Sequence, residues 1–134
     1  MVQDKILIID DDPSFLEITS AILRRFGYDV LTANNVGDGL QLLEGEKPDL
    51  LLLDIMMATI DEGLQFAVKV RQRKEHQQLP IIIVSAQPGV EKGYSRTLDE
   101  DMDWIAADIF MEKPVDPQAL KHNIQLLLKD KSVC

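Results

Sequence analysis

Two short apolar runs, each ending in aspartate, constrain this chain more than any other feature. Lys5-Ile6-Leu7-Ile8-Ile9 leads into Asp10-Asp11-Asp12, and Leu50-Leu51-Leu52-Leu53 leads into Asp54. Runs this short with no polar alternation read as strands buried on both faces, as in a parallel sheet covered by helices. Ligands of open α/β sheets gather beyond the carboxyl ends of the strands. If the two runs are neighbours, their carboxylates converge on one crevice. Carboxylates that close repel, so the cluster calls for a shared proton, a cationic side chain or a hard cation bound through oxygen. A magnesium and phosphate site is the expectation.

The rest of the chain alternates strand and helix signals. Asp12-Pro13 is a helix cap followed by the ring that suits a first helical turn. Phe15, Ile18, Ile22 and Phe26 recur at helical spacing, and Gly27 stops that helix. Residues 28–33 read as a second strand, and Asn34-Asn35 as a turn or cap. A short helix carries Val36, Leu40 and Leu43 to about Gly45, and Lys47-Pro48 breaks it before a third strand at 49–53. After a loop, a third helix begins near Asp61 with Leu64, Val68 and Arg71 at helical spacing. Leu79-Pro80 opens a fourth strand at 81–84, which ends at Ser85-Ala86.

Residues 87–108 are polar and acidic, with Trp104-Ile105 as their apolar anchor. Residues 109–111 form a short fifth strand before Glu112-Lys113-Pro114. Asp116-Pro117 repeats the cap-then-proline device, and Leu120, Ile124, Leu127 and Leu128 stripe the last helix. The expectation is α/β: an open, doubly wound, five-stranded parallel sheet with right-handed crossovers. One domain spans 1–134, with its core at about 4–129 and a short tail at 130–134.

Composition narrows the function classes. The 134 residues are 46% hydrophobic and 28% charged, the balance of a globular chain. A formal net charge of −9 argues against a nucleic-acid backbone as the main partner. No apolar run approaches the length of a membrane span, and Met1 to Lys5 holds no signal-peptide pattern. Cys134, the only cysteine, is terminal, so it forms no internal disulfide. A cytoplasmic protein with no membrane insertion and no nucleic-acid partner is expected.

At the ends of the apparent strands stand Asp10-Asp11, Asp54, Ser85 and Lys113-Pro114. An acidic pair, a lone aspartate, a small hydroxyl and a lysine-proline, in this order, resemble the receiver domain of two-component response regulators. The stretches Ile6 to Pro13, Leu53 to Met57 and Glu112 to Val115 carry the likeness, which covers about residues 4 to 129. The resemblance, not the spacing, supplies the flavodoxin-like strand order 2-1-3-4-5, with strands one and three adjacent at the switch point.

It also implies that Asp54 accepts a phosphoryl group from a phosphohistidine on a sensor histidine kinase or phosphotransfer protein. Mg²⁺ would be held by Asp11, Asp54 and the Met56 carbonyl, with Asp10 acting largely through water. Lys113 would pair with one phosphoryl oxygen and Ser85 with another, and the Lys113-Pro114 bond would be cis. The switch would be Ser85 moving toward the phosphoryl group while Phe110 turns inward. The helix before the fifth strand, that strand and the last helix would present the change to a downstream protein target. Such a protein is a signalling element, not an enzyme beyond catalysing its own phosphorylation and dephosphorylation. With no output domain following the last helix, a stand-alone receiver is expected.

The chain departs from the family pattern in three places. Ala58 stands where a proline is usual, Asp61-Glu62-Gly63 replaces an Asp-Gly turn, and the interval from Ser85 to Lys113 is longer than usual. Met56 and Gln87 occupy the two positions that tune hydrolysis of the acyl phosphate. An apolar Met56 beside it implies a phosphorylated state longer-lived than in fast chemotaxis regulators.

Simpler roles stand beside these. Asp12 is a helix cap and stays outside the site; Met57 suits the core. His76 and His122 suit helix surfaces, and Arg71, Arg73 and Lys74 read as a solvated basic patch. Two other functions compete. A haloacid-dehalogenase-type phosphatase would use Asp10 as nucleophile, with Ser85 and Lys92 or Lys113 as later motifs. That reading leaves Asp54 unexplained and lacks a late acidic pair. A phosphorylation-independent interaction module would need none of the acids.

Overall fold

The computed structural model describes residues 4–54, 60–73, 79–85, 108–113 and 115–133. In chain order these form β1 (Lys5–Ile9), α1 (Pro13–Arg25), β2 (Asp29–Ala33), α2 (Val36–Glu46), β3 (Leu50–Asp54), α3 (Ile60–Gln72), β4 (Ile81–Ser85), β5 (Ile109–Glu112) and α4 (Pro117–Val133). The strands make one sheet in the order β2-β1-β3-β4-β5. Every neighbouring pair is parallel. The α/β, doubly wound fold expected from the sequence is the one observed.

Strand residues alternate between two apolar cores, as a period of two requires. Leu7, Ile9, Leu51, Leu53, Ile81 and Ile83 pack with Leu43, Phe66, Ala67 and Val70 of α2 and α3. Ile6, Ile8, Leu50, Leu52, Ile82 and Val84 pack with Leu23, Leu120, Ile124 and Leu128 of α1 and α4. Both faces are therefore covered, which is why β3 can be four consecutive leucines. Each such side chain contributes roughly 1.5–3 kcal/mol when fully buried.

Local chemistry fixes the element ends. Asp12 caps α1, its Oδ1 accepting the Ser14 N–H at 3.0 Å, with Pro13 opening the helix. Gly27, at φ +96°, turns the chain from α1 toward β2, a conformation costly for other residues. Asn35 caps α2 through its Oδ1 and the Asp38 N–H, 2.8 Å apart. Gly39 lets α2 approach the sheet closely: a Cβ there would lie 2.4 Å from Ile9 Cδ1.

Several details differ from expectation. The buried residues of α1 are Thr19, Ser20 and Leu23, while Ile18 is 61% exposed. The apolar spacing had placed Ile18 in the stripe because two small hydroxyl residues occupy the packed positions. Among the described side chains of α3, Phe66, Ala67 and Val70 are buried, and Val68 of the expected line packs against the same core partly buried, while the Leu64 side chain lies outside the described residues. The third helix begins at Ile60, within a residue of the expected start, so Asp61-Glu62-Gly63 lies in its first turn. The last helix continues to Val133, through most of the stretch read as a tail.

Arg71 and Arg73 are not simply solvated. Arg71 pairs with Asp108 at 3.4 Å with only 14% of its side chain exposed, and Arg73 pairs with Glu44 of α2. Asp108 also accepts the Ile81 N–H at 2.8 Å, tying the start of β5 to the start of β4. His122 is on the helix surface as read, whereas His76 and Lys74 lie outside the described residues.

Candidate functional site

Register brings the acids together. Ile9 of β1 pairs with Leu53 of β3, so the next residues, Asp10 and Asp54, stand level at the carboxyl edge of the sheet. Asp54 itself pairs with Val84. Ser85 follows and pairs with Glu112, which places Lys113 one step beyond the end of β5. Four strands thus deliver Asp10, Asp54, Ser85 and Lys113 to one edge.

Asp10 is fully buried and Asp54 is 3% exposed, so neither carboxylate is a surface decoration. The Asp10 N–H donates to the Ala33 carbonyl at 3.1 Å, extending the β1–β2 pairing by one residue. Its side-chain Oδ1 accepts the Asp12 N–H at 2.9 Å, and its Oδ2 accepts from Lys113 Nζ at 2.6 Å. Lys113 Nζ also lies 3.6 Å from Asp54 Oδ2. With 13% of its side chain exposed, the lysine is largely withdrawn from water. Buried charges require such pairing, since an isolated one would be very costly.

Asp11 is exposed at the rim. One carboxylate oxygen from each of Asp10, Asp11 and Asp54 lies within 4.8 Å of the other two. One ammonium against three carboxylates leaves two negative charges in excess, which a divalent cation would balance. The donors are hard oxygens, the set that suits Mg²⁺ rather than a soft metal. Asp10 accepts an N–H on each of its oxygens, which suits a role through water, while exposed Asp11 offers a direct ligand. The residues therefore fit the group that the sequence implied.

The side chains of Ser85 and Phe110 lie outside the described residues, although the backbone of Ser85 ends β4 and that of Phe110 lies within β5. Met56, Met57, Ala58, Gln87, Lys92 and Pro114, and with Pro114 the proposed cis bond, also fall outside them. One contributor was missed. Phe15, read only as a member of the α1 stripe, places its ring centroid 4.1 Å from Lys113 Nζ. Its position four residues after Asp11, on the first turn of a helix leaving the site, was the available signal.

Comparison with known proteins bears on the family and the fold. Residues 6–125 match the response regulator receiver domain family. The chain is 33% identical to protein PilH of Pseudomonas aeruginosa, over 92% of this chain and 97% of that protein. It is 31% identical to the alkaline phosphatase synthesis transcriptional regulatory protein PhoP of Bacillus subtilis, over 96% of this chain. There it spans only 50% of the relative's length. Among solved structures, a CheY-like response regulator receiver domain protein from Methanospirillum hungatei superposes with a TM-score of 0.83. It shares 30% identity, and the match covers 98% of both chains.

Proposed function

The chain belongs to the response regulator receiver domain family, and on that premise we propose that Asp54 is its phosphoacceptor. The observation that carries the reading is the convergence of the Asp10, Asp11 and Asp54 oxygens within 4.8 Å, with Lys113 reaching two of the three acids. Receiver domains accept a phosphoryl group on an aspartate. Here the almost fully buried Asp54 is the acid that closes β3.

In the proposed step an Asp54 carboxylate oxygen attacks phosphorus in line. The new O–P bond forms as the P–N bond to the donor imidazole breaks, and that bond's electron pair leaves with the donor nitrogen. Asp11, Asp54 and the Met56 carbonyl would hold Mg²⁺, with Asp10 acting through water. When bound, the ion supplies positive charge and a template for the phosphoryl oxygens. Lys113 neutralises charge on the transferring group and exchanges its Asp54 contact for a phosphoryl oxygen. Asp10 keeps the lysine in the pocket, and Ser85 donates a hydrogen bond to a further oxygen.

Phosphoryl transfer needs mainly positioning and charge neutralisation, and the fixed positions of Asp10, Asp54 and Lys113 support that. The donor in this proposal is a sensor histidine kinase or a phosphotransfer protein. The output is a conformational change, through Ser85 and Phe110, read by a downstream protein. Among the described residues no helix is long and apolar enough to cross a membrane.

The test is intact mass after incubation with acetyl phosphate, with and without Mg²⁺, for the wild type, Asp54→Asn and Asp10→Asn. One phosphoryl adduct that needs Mg²⁺ and vanishes in Asp54→Asn is expected. No adduct under any condition would overturn the proposal in favour of a phosphorylation-independent docking module.

A further inference from the structure

Lys113 is held by more than its acids. Its ammonium lies 2.6 Å from Asp10 Oδ2 and 3.6 Å from Asp54 Oδ2, and its third neighbour is the Phe15 ring, 4.1 Å away at the centroid. Phe15 is half-buried and leans on the apolar core shared by α1 and α4. The ring is thus anchored by packing while one part of it meets the charge. A cation so close to an aromatic face is attracted by the ring quadrupole, more strongly where water is scarce. At 13% exposure the Lys113 side chain is in such a setting.

We propose that Phe15 is a positioning residue for phosphoryl transfer, its ring holding the Lys113 ammonium over the Asp10–Asp54 edge without offering a competing acceptor. This rests on the reading that Lys113 serves the phosphoryl group bound for Asp54. A lysine has three rotatable N–H donors on a flexible stem. A carboxylate or amide at position 15 would take one donor and draw the ammonium off the pocket. A small aliphatic residue would leave the stem free to swing toward water. The aromatic face does neither: it attracts the charge and leaves the donors for Asp10, Asp54 and an incoming oxygen. Its place on the first turn of α1, next to the Asp12 cap, ties ring position to the strand end that carries Asp10 and Asp11.

The test compares wild type, Phe15→Leu, Phe15→Tyr and Lys113→Ala. The rate of Mg²⁺-dependent phosphorylation by acetyl phosphate is one readout. The other is the proton shift of the Lys113 ε-methylene in lysine-labelled protein, which a ring face moves upfield. Phe15→Leu keeps an apolar side chain but removes the ring. It should slow phosphorylation by about threefold to tenfold and abolish the upfield shift. Phe15→Tyr should keep the shift and remain within about twofold of wild type. Lys113→Ala defines the rate without the ammonium.

A Phe15→Leu rate equal to wild type would overturn the proposal. So would slowing with the Lys113 shift unchanged, or a Phe15→Tyr protein as slow as Phe15→Leu with its shift retained. Wild-type protein that shows the ring shift but takes no phosphoryl group would instead overturn the reading of Asp54, and the two failures are therefore told apart. Thermal unfolding of each variant verifies that the fold is intact.

Discussion

Replacing Lys113 with methionine should destabilise the fold strongly, because it removes the ammonium that faces two buried carboxylates. Asp10 is fully buried and Asp54 is 3% exposed, and the lysine lies 2.6 Å and 3.6 Å from their oxygens. At an effective dielectric constant near 20, the shorter contact alone is a Coulomb attraction of roughly 6 kcal/mol. Desolvation of the ammonium opposes it, so removing one partner of a buried pair typically costs about 3–5 kcal/mol. The lysine keeps some contact with water, which puts the expected loss near about 3 kcal/mol, or roughly 10 °C in Tm for a chain of this size.

Urea unfolding at neutral pH in EDTA measures it, for wild type, Lys113→Met, Asp10→Asn and the double variant. The m-value should hold while the midpoint falls. In the Asp10→Asn background the same lysine substitution should cost only about 1 kcal/mol, a coupling of about 2 kcal/mol. Adding Mg²⁺ should restore part of the loss in Lys113→Met, since a divalent ion and the ammonium neutralise the same acids. A loss under about 1 kcal/mol, or an equal loss in both backgrounds, would refute the claim that Lys113 balances the buried acids.

Three further outcomes are expected. Asp11→Asn alters an exposed side chain and should leave stability nearly unchanged. It should weaken Mg²⁺ binding by at least about tenfold, measured calorimetrically, as losses even of outer-sphere groups do. Gly39→Ala places a Cβ 2.4 Å and 2.9 Å from Ile9 Cδ1 and Cγ1 in a packed core. Overpacking of about 1–3 kcal/mol should outweigh the better helix propensity of alanine, and Ile9→Val should recover part of it in a urea series.

Burial, and then the charge of Asp4, raise the Tyr28 phenol above the ordinary tyrosine value. Because the folded value is the higher one, the stability it contributes is complete below the unfolded pKa. That stability is lost as pH rises through the folded one. Ultraviolet titration in a Tyr94→Phe background should show the raised midpoint, lowered again by Asp4→Asn.

The sheet was legible because parallel strands covered on both faces must be continuously apolar. The carboxyl-edge acids were legible because they interrupt those runs. Lys5–Ile9 was delimited as observed, and the cap at Asp12 was read from Asp-Pro alone. The packed face of α1 was not legible. Thr19 and Ser20 are buried while Ile18 is exposed, so an apolar count picks the wrong stripe of a helix whose packed positions are small. Arg71 reads as surface charge until Asp108, 37 residues on, arrives beside it. Phe15 reads as core until Lys113, from the far end of the chain, settles against it. Side chains joined across the fold leave at most a faint local trace, such as the place of Phe15 four residues after Asp11, whereas side chains at strand ends leave a plain one.

The central claim is that Asp54 carries the phosphoryl group. Its most direct test is borohydride reduction of protein treated with acetyl phosphate and Mg²⁺, followed by peptide mass mapping. Reduction converts an aspartyl phosphate to homoserine and leaves free aspartate intact. Homoserine at position 54, dependent on Mg²⁺ and absent elsewhere, is the expected result. Homoserine at position 10 with Asp54 unmodified would contradict the account.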